Sequence, residues 1–339
     1  MTIFVTGGAG FIGSEFIRQS VGAARIINFD KLTYAGNLDN LTEAAKDTGY
    51  SLVVGDVCDA QAVYEAMPED CDAVVHFAAE SHVDRSIVGA EEFVRTNVLG
   101  TQVMLEVSRR RGVKRFLHIS TDETGGDMPP NGWFKEDDPL KASSPYAASK
   151  GAAELFVQAA ARTYGMNTLI TRTSNNYGPY QFPEKLLPLA ISNVLEDRPI
   201  PVYGDGMQVR DWVHVTDNCR ALRAVLERGR PGETYHIGGG NPLPNIEVLR
   251  TLLRILGKPE TLLTRVTDRL GHDRRYAVDF AKTTSELGWR PEIGFSDGLA
   301  QTIRWYQDNA EWVRRCRSGE YRDYYERMYA EREATAQKI

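Results

Sequence analysis

Short apolar runs rich in branched residues alternate with helical patterns through the first half of the chain. IFVTG, RIINFD, SLVVGD, DAVVHFAA, KRFLHIS and TLITRTS are the runs, and the first is followed by helical spacing from about Ile12. Such alternation predicts repeated βαβ units, hence a parallel sheet with helices on both faces. DAVVHFAA and KRFLHIS are almost continuously apolar, as expected of central strands covered on both sides. The expected fold class is α/β, a doubly wound parallel sheet with a smaller, partly interleaved second lobe.

Beyond about Asn175 the rhythm loosens, and Pro179, Pro183, Pro188, Pro199 and Pro201 break the pattern into short helices and loops. Residues 1–175 are therefore expected to form the sheet domain and 176–315 a smaller lobe over its carboxyl edge. RDWVHVTDNCRALRAVLERG and ETYHIGGG read again as strand, helix and strand, so a segment of about 210–238 is expected to return to the first domain. Residues 316–339 are expected to form a charged helical tail carrying Tyr321, Tyr324, Tyr325 and Tyr329.

Composition narrows the function classes. The 339 residues are 42% hydrophobic and 25% charged with a formal net charge of −6. That suits a soluble globular protein and excludes a nonspecific nucleic-acid binder, which needs a basic stripe to displace phosphate counterions. No uninterrupted apolar stretch approaches the length of a membrane helix, and MTIFVTGG leads directly into a strand, so a cytoplasmic location is expected. Cys58, Cys71, Cys219 and Cys316 lack CxxC spacing and the histidines lack an HExxH pair, so neither a disulfide frame nor a metal site is expected.

Two motifs carry chemistry. TGGAGFIG sets Gly8, Gly10 and Gly13 in G-x-G-x-x-G spacing, with Gly7 adding a further glycine, directly after a strand and before a helix. Glycines there allow a tight turn and close approach of backbone to a pyrophosphate, whose charge meets the amides of the helix start. RIINFD ends at Asp30, where a carboxylate binds ribose hydroxyls and repels a 2′-phosphate, so this Rossmann-type fingerprint favours NAD over NADP. Asp56, after the third strand, is placed either to meet an adenine amino group or simply to cap a helix.

SPYAASK places Tyr146 and Lys150 four residues apart on one helical face, where an ammonium is expected to lower the phenol's pKa so that it accepts a proton from an alcohol. Thr121 ends another strand, and HISTDETGG sets the adjacent carboxylates Asp122 and Glu123 directly behind it. Together these residues resemble the extended short-chain dehydrogenase/reductase family. In that setting a 4-epimerase has no work for two extra carboxylates. Dehydration does: beside a ketone at carbon 4 a base removes the carbon 5 proton while an acid protonates the departing 6-hydroxyl.

TGGAGFIGS, DKLTYAGNLDNL, HFAAESHVDRSI, SPYAASK, SNNYGPYQFPEKLLP, PVYGDGMQVRDWVHV, GHDRRYAVD and ELGWRP extend the likeness over nearly the whole chain, which is similar to the dTDP-glucose 4,6-dehydratases. The resemblance implies Tyr146 as base at the 4-hydroxyl, Thr121 sharing its hydrogen bond, Lys150 tuning it, Asp122 as acid and Glu123 as base. It implies an NAD site formed by Gly7, Gly10, Phe11, Ile12, Gly13, Asp30, Lys31, Leu32, Thr33, Asp56, Val57, Ala78, Ala79, Glu80, Thr96, Tyr146, Lys150 and Asn176. The nucleotide-sugar site would comprise Ser81, His82, Thr121, Asn175, Lys185, Leu186, Pro201, Val202, Tyr203, Arg210, Asn245, Asp268, Arg269 and His272. For Arg210 and Arg269 chemistry argues separately, because a planar guanidinium makes paired bonds to a diphosphate; either could instead pair with its neighbour Asp211 or Asp268.

The chain departs from that family where Thr124, Gly125 and Gly126 replace the usual Val-Tyr-Gly after the acidic pair, which predicts a looser loop beside the site. Leu270 stands where proline is more usual. The resemblance also implies a homodimer that pairs about Val98–Arg111 and Tyr146–Thr163 from each subunit into a four-helix bundle. A 4-epimerase, a dehydratase of another nucleotide sugar, and a noncatalytic NAD-binding regulator are the competing readings.

Overall fold

The structure is a computed structural model that describes residues 1–317 and 337–338. Its chain begins with β1 (Thr2–Thr6), α1 (Phe11–Ser20), β2 (Arg25–Asp30), β3 (Tyr50–Val54), α2 (Ala60–Ala66) and β4 (Ala73–His76). After α3 (Val83–Val88) and α4 (Glu91–Phe93), a π-helical turn over Val94–Leu99 runs into α5 (Gly100–Arg111). β5 (Arg115–Thr121), α6 (Pro145–Tyr164) and β6 (Thr168–Thr173) complete the first half.

These six strands pair in parallel in the order β3-β2-β1-β4-β5-β6. Strand order reverses between β1 and β4, which opens a crevice at the carboxyl edge where ligands of such sheets bind. Apolar residues cover both faces, as the runs predicted. One face packs Phe16, Ile17, Leu222 and Val225 over β1 and β5; the other packs Met104, Val107 and Val157 over Phe4, Val74 and Phe116. α6 starts cleanly because Ser144 accepts the Ala147 amide and Pro145 follows at the first helical position.

The second half contributes β7 (Asn175–Tyr177), α7 (Leu186–Leu195), β8 (Ile200–Tyr203), β9 (Val209–His214), α8 (Val215–Arg228), β10 (Thr234–Ile237), β11 (Pro242–Pro244), α9 (Asn245–Leu256) and β12 (Leu263–Val266). α10 (Ala281–Leu287), α11 (Phe295–Asp308) and α12 (Ala310–Cys316) follow. A separate core of Ile191, Val194, Leu249, Leu252, Leu299 and Ile303 holds the smaller lobe together.

The segment of about 210–238 divides between the two layers. β9 pairs with β7 and β11 in a three-stranded sheet of the smaller lobe, whereas α8 packs on α1 and β10 joins the large sheet as a seventh parallel strand beside β6. Of the tail expected to be helical over 316–339, α12 ends at Cys316 and Gln337–Lys338 pair antiparallel with β12 as a short strand. The remainder of that tail lies outside the described residues. Among the described residues no helix is long and apolar enough to cross a membrane, and no group of three or more His, Cys, Asp or Glu is placed to hold a metal ion.

Candidate active site

A cavity of about 460 Å³ runs along the carboxyl edge of the large sheet and under the smaller lobe. Its floor begins at the glycine turn after β1. Gly7 adopts φ +70°, and a Cβ there would come within 2.6 Å of the Ala78 amide nitrogen; a Cβ on Gly13 would meet the Gly7 carbonyl oxygen at 2.3 Å. Side chains at either position would close the turn. α1 begins at Phe11 with no side-chain cap, so its first amides are open to an anion. Asp30 ends β2 at the cavity wall, its carboxylate accepting the amides of Ala9 and Leu32 at 2.8 Å each, with its pKa raised by burial. This glycine cradle, open helix start and strand-end carboxylate fit a dinucleotide.

Asp56 also lines the cavity, but it does not cap α2: Asp59 does, accepting the amides of Gln61 and Ala62. Against the cost of its burial, the Cys58 amide and the Lys31 ammonium 3.0 Å away hold the Asp56 carboxyl at about 2. Phe11, Ile12, Lys31, Thr33, Val57, Ala78, Ala79, Glu80, Thr96 and Asn176 share the lining. Leu32 does not. Its φ of +52° turns the side chain onto the core beside β1, which leaves only its amide to serve Asp30.

Thr121 is the last residue of β5, and Asp122–Gly125 form a 3₁₀ turn that it caps. Its hydroxyl accepts the Glu123 amide and reaches Asp122 Oδ1, both at 3.3 Å, and it stands beside the Tyr146 phenol on the cavity wall. Asp122 is buried; burial first and the Glu123 charge second push its carboxyl well above the usual range, with Arg210 pulling the other way. Asp122 Oδ2 and Glu123 Oε2 have no hydrogen-bond partner.

The phenol does not follow the sequence expectation. Burial, then Glu123, raise the Tyr146 pKa, while the Lys150 ammonium is turned to the Ile119 carbonyl oxygen at 2.6 Å. Burial lowers Lys150 itself to about 8. In this arrangement the lysine is anchored to the backbone of β5 on the helical face it shares with the phenol.

Across the cavity, β9 delivers Arg210, buried, with bonds to the carbonyls of Val209 (2.7 Å) and Asp273 (2.9 Å) and its guanidinium 4.1 Å from the Tyr276 ring centre. Neighbouring Asp211 does not pair with it, since that carboxylate accepts the amides of Gly239, Gly240 and Asn241. Arg269 and Lys185 line the same wall, the latter donating to the Ser81 carbonyl at 2.7 Å. Ser81, His82, Asn175, Leu186, Pro201, Tyr203, Asn245 and His272 complete it, and Asn176 Oδ1 and Asn245 Oδ1 are buried without a partner.

Two expected substrate residues stand back from this wall. Val202 points with Ile200 into the smaller lobe's core, because alternate residues of β8 face opposite ways and only Pro201 and Tyr203 reach the cavity. Asp268 instead orients His272, whose Nδ1 lies 2.6 Å from its carboxylate, and accepts from Gln208 at 2.9 Å. Conversely, Thr173, Ser174, Gln181, Glu184 and Trp212 line the cavity without having been singled out. Thr173 and Ser174 follow from the position of β6 at the sheet's carboxyl edge, and Glu184 from its place in FPEKLLP.

Comparisons with known proteins agree with this geometry. Residues 4–302 match the family model described as GDP-mannose 4,6 dehydratase. The chain is 48% identical over 320 residues to a dTDP-glucose 4,6-dehydratase of Actinoplanes, covering 92% of this chain and 99% of that one. Among solved structures it superposes on the dTDP-glucose 4,6-dehydratase of Streptomyces venezuelae, crystallised with NAD and dTDP, with a TM-score of 0.91 and 49% identity over 93% of this chain and 100% of the other. The UDP-glucose 4-epimerase of Thermotoga maritima, solved with UDP-glucose, is more distant at 28% identity and a TM-score of 0.85, over 91% of this chain and 100% of that one.

Proposed function

The chain belongs to the GDP-mannose 4,6 dehydratase family and within it to the dTDP-glucose 4,6-dehydratases, and on that premise we propose that it converts dTDP-glucose to dTDP-4-keto-6-deoxyglucose and water. The observation that carries this reading is the adjacent pair of buried Asp122 and half-buried Glu123 on the turn that Thr121 caps, with Tyr146 lining the same cavity. NAD, held by Gly7, Gly10, Gly13 and Asp30, would accept hydride from carbon 4 and return it to carbon 6, leaving no net redox change.

Tyr146 takes the 4-hydroxyl proton and Thr121 holds that hydroxyl in line. Lys150, one turn further along α6 and fixed by Ile119 O, supplies the ammonium of the Tyr–Lys pair. Glu123 removes the proton at carbon 5, and Asp122, protonated because burial and Glu123 disfavour its ionisation, donates to the departing 6-hydroxyl. The diphosphate is held by Arg210, Arg269 and Lys185, and the orphaned oxygens of Asn176 and Asn245 are available to donors of bound nicotinamide or substrate. A 4-epimerase would leave the acidic pair without a task.

We place this chemistry in the cytoplasm and in a homodimer. Cys58, Cys71, Cys219 and Cys316 are free thiols, as in a reducing compartment. On α6, Leu155 and Phe156 are 59% and 45% exposed, and Val94 and Leu99 ahead of α5 are exposed as well, an apolar stripe suited to a second copy of the same helices. The activity is tested with dTDP-glucose deuterated at carbon 4, alongside UDP-glucose and UDP-N-acetylglucosamine. Deuterium at carbon 6 of a 4-keto-6-deoxy product, formed fastest from dTDP-glucose, is the expected result; label retained at carbon 4 of an epimer would overturn it.

A further inference from the structure

The turn that carries the acidic pair lacks the aromatic residue usual after it, yet the space beside it is filled. Phe134, 1% exposed, lays its ring against Gly125 so closely that a Cβ there would stand 2.6 Å from Phe134 Cδ1. The ring also lies 5.0 Å from the Arg172 guanidinium and 5.0 Å from the His236 ring centre. Arg172 forms a buried ion pair with Glu154 at 2.8 Å, and Glu154 sits one turn beyond Lys150 on α6. That carboxylate in turn accepts hydrogen bonds from Ser120 and Thr124, the residues that bracket Thr121, Asp122 and Glu123. Thr124, where the resembling family has valine, also donates to the Thr121 carbonyl at 2.9 Å.

Phe134 is itself held by a segment far along the chain, next to β10. Its amide donates to Ala277 O at 2.8 Å and its carbonyl accepts the Asp279 amide at 2.9 Å, a parallel bridge opposite Val278. Residues 277–279 follow directly on the loop that bears Arg269, His272 and Tyr276. The turn is pinned on its far side as well, Lys141 donating its amide to Thr124 O at 2.9 Å. Loss of the aromatic side chain at position 125 therefore leaves no slack. The ring of Phe134, delivered from another part of the chain, covers the bare Gly125 backbone.

We propose that Phe134 is the positioning residue of the elimination step: seated on Gly125 and braced by Arg172–Glu154, it sets where Asp122 and Glu123 point, while Tyr146 and Lys150 are placed by α6. This rests on the dehydratase reading above. Displacing the turn then slows loss of water more than oxidation at carbon 4, since misplacement of reacting groups by a fraction of a bond length is costly.

The experiment compares wild type, Phe134→Ala, Phe134→Leu, Gly125→Ala and the double variant Gly125→Ala/Phe134→Leu. For Phe134→Ala and for Gly125→Ala, kcat falls about 10–100-fold, KM for dTDP-glucose changes by less than about twofold, and dTDP affinity by calorimetry is unchanged. During turnover the near-ultraviolet absorbance of reduced nicotinamide rises above the wild-type level, because oxidation outruns elimination. The double variant recovers part of the Gly125→Ala loss, as a smaller side chain at 134 makes room for the added methyl. The proposal is overturned if the two single variants turn over like wild type, or if they lose dTDP affinity and kcat together with no rise in absorbance, which is the signature of a merely weakened fold. A wild type that makes no 4-keto-6-deoxy sugar would remove the dehydratase reading itself, a result separate from either.

Discussion

At the scale of single residues, the site is built on charges kept from their usual partners. Asp122 is the clearest case. Its folded pKa lies well above the unfolded value of 3.8, owing to burial and then to Glu123. A carboxyl raised in this way binds its proton more tightly when folded, so the native state loses stability as pH climbs from 3.8 through the raised value. Asp122→Asn removes that penalty. It is expected to raise the thermal midpoint at neutral pH but not below about pH 3.8, while lowering kcat by about 10²–10⁴-fold through loss of the acid. Calorimetric melts at two pH values, with steady-state rates, check both halves. A midpoint lowered at neutral pH would contradict the assignment of Asp122 as a strained, protonated acid.

At the scale of elements, α6 and β5 do the placing. Tyr146, Lys150 and Glu154 recur every four residues on one face of α6, so a single helix supplies the phenol, its ammonium and the brace under the turn. Glu154 and Arg172 are buried together at 0% and 2% exposure. Glu154→Gln strands the guanidinium, and a loss of about 3–5 kcal/mol in denaturant unfolding is expected; a loss below about 1 kcal/mol would mean that water reaches the pair. The six strands of the first half and the glycine turn are legible in the sequence because their patterns are local: apolar runs, strand-end carboxylates, glycines at fixed spacing. RDWVHV and ETYHI are equally legible as strands, but which sheet each joins is decided by pairing partners far along the chain. The same limit explains Val202, which differs from its lining neighbours only by strand alternation. It also explains Phe134, whose meeting with Gly125 depends on its bridge to Val278, far along the chain, and has no local sequence signal.

At the scale of the whole molecule, the two lobes are stitched by strands and helices that cross between them, and α6 turns one face to the site and another, with Leu155 and Phe156, to the outside. Replacing both by aspartate places charge in the centre of the proposed helix pairing. Light scattering is then expected to change from the mass of two 37.9 kDa chains to that of one, with the monomer retaining its circular dichroism. Equal masses for variant and wild type would remove Leu155 and Phe156 from any interface. The crossing itself has a consequence for biosynthesis. β10 closes the edge of the large sheet next to β6, yet it is made only after β7, α7, β8, β9 and α8. As the chain leaves the ribosome, the first lobe must wait with an open edge at β6 until residue 237 has emerged, so the growing polypeptide cannot close its large sheet before β7, α7, β8 and β9 of the smaller lobe exist.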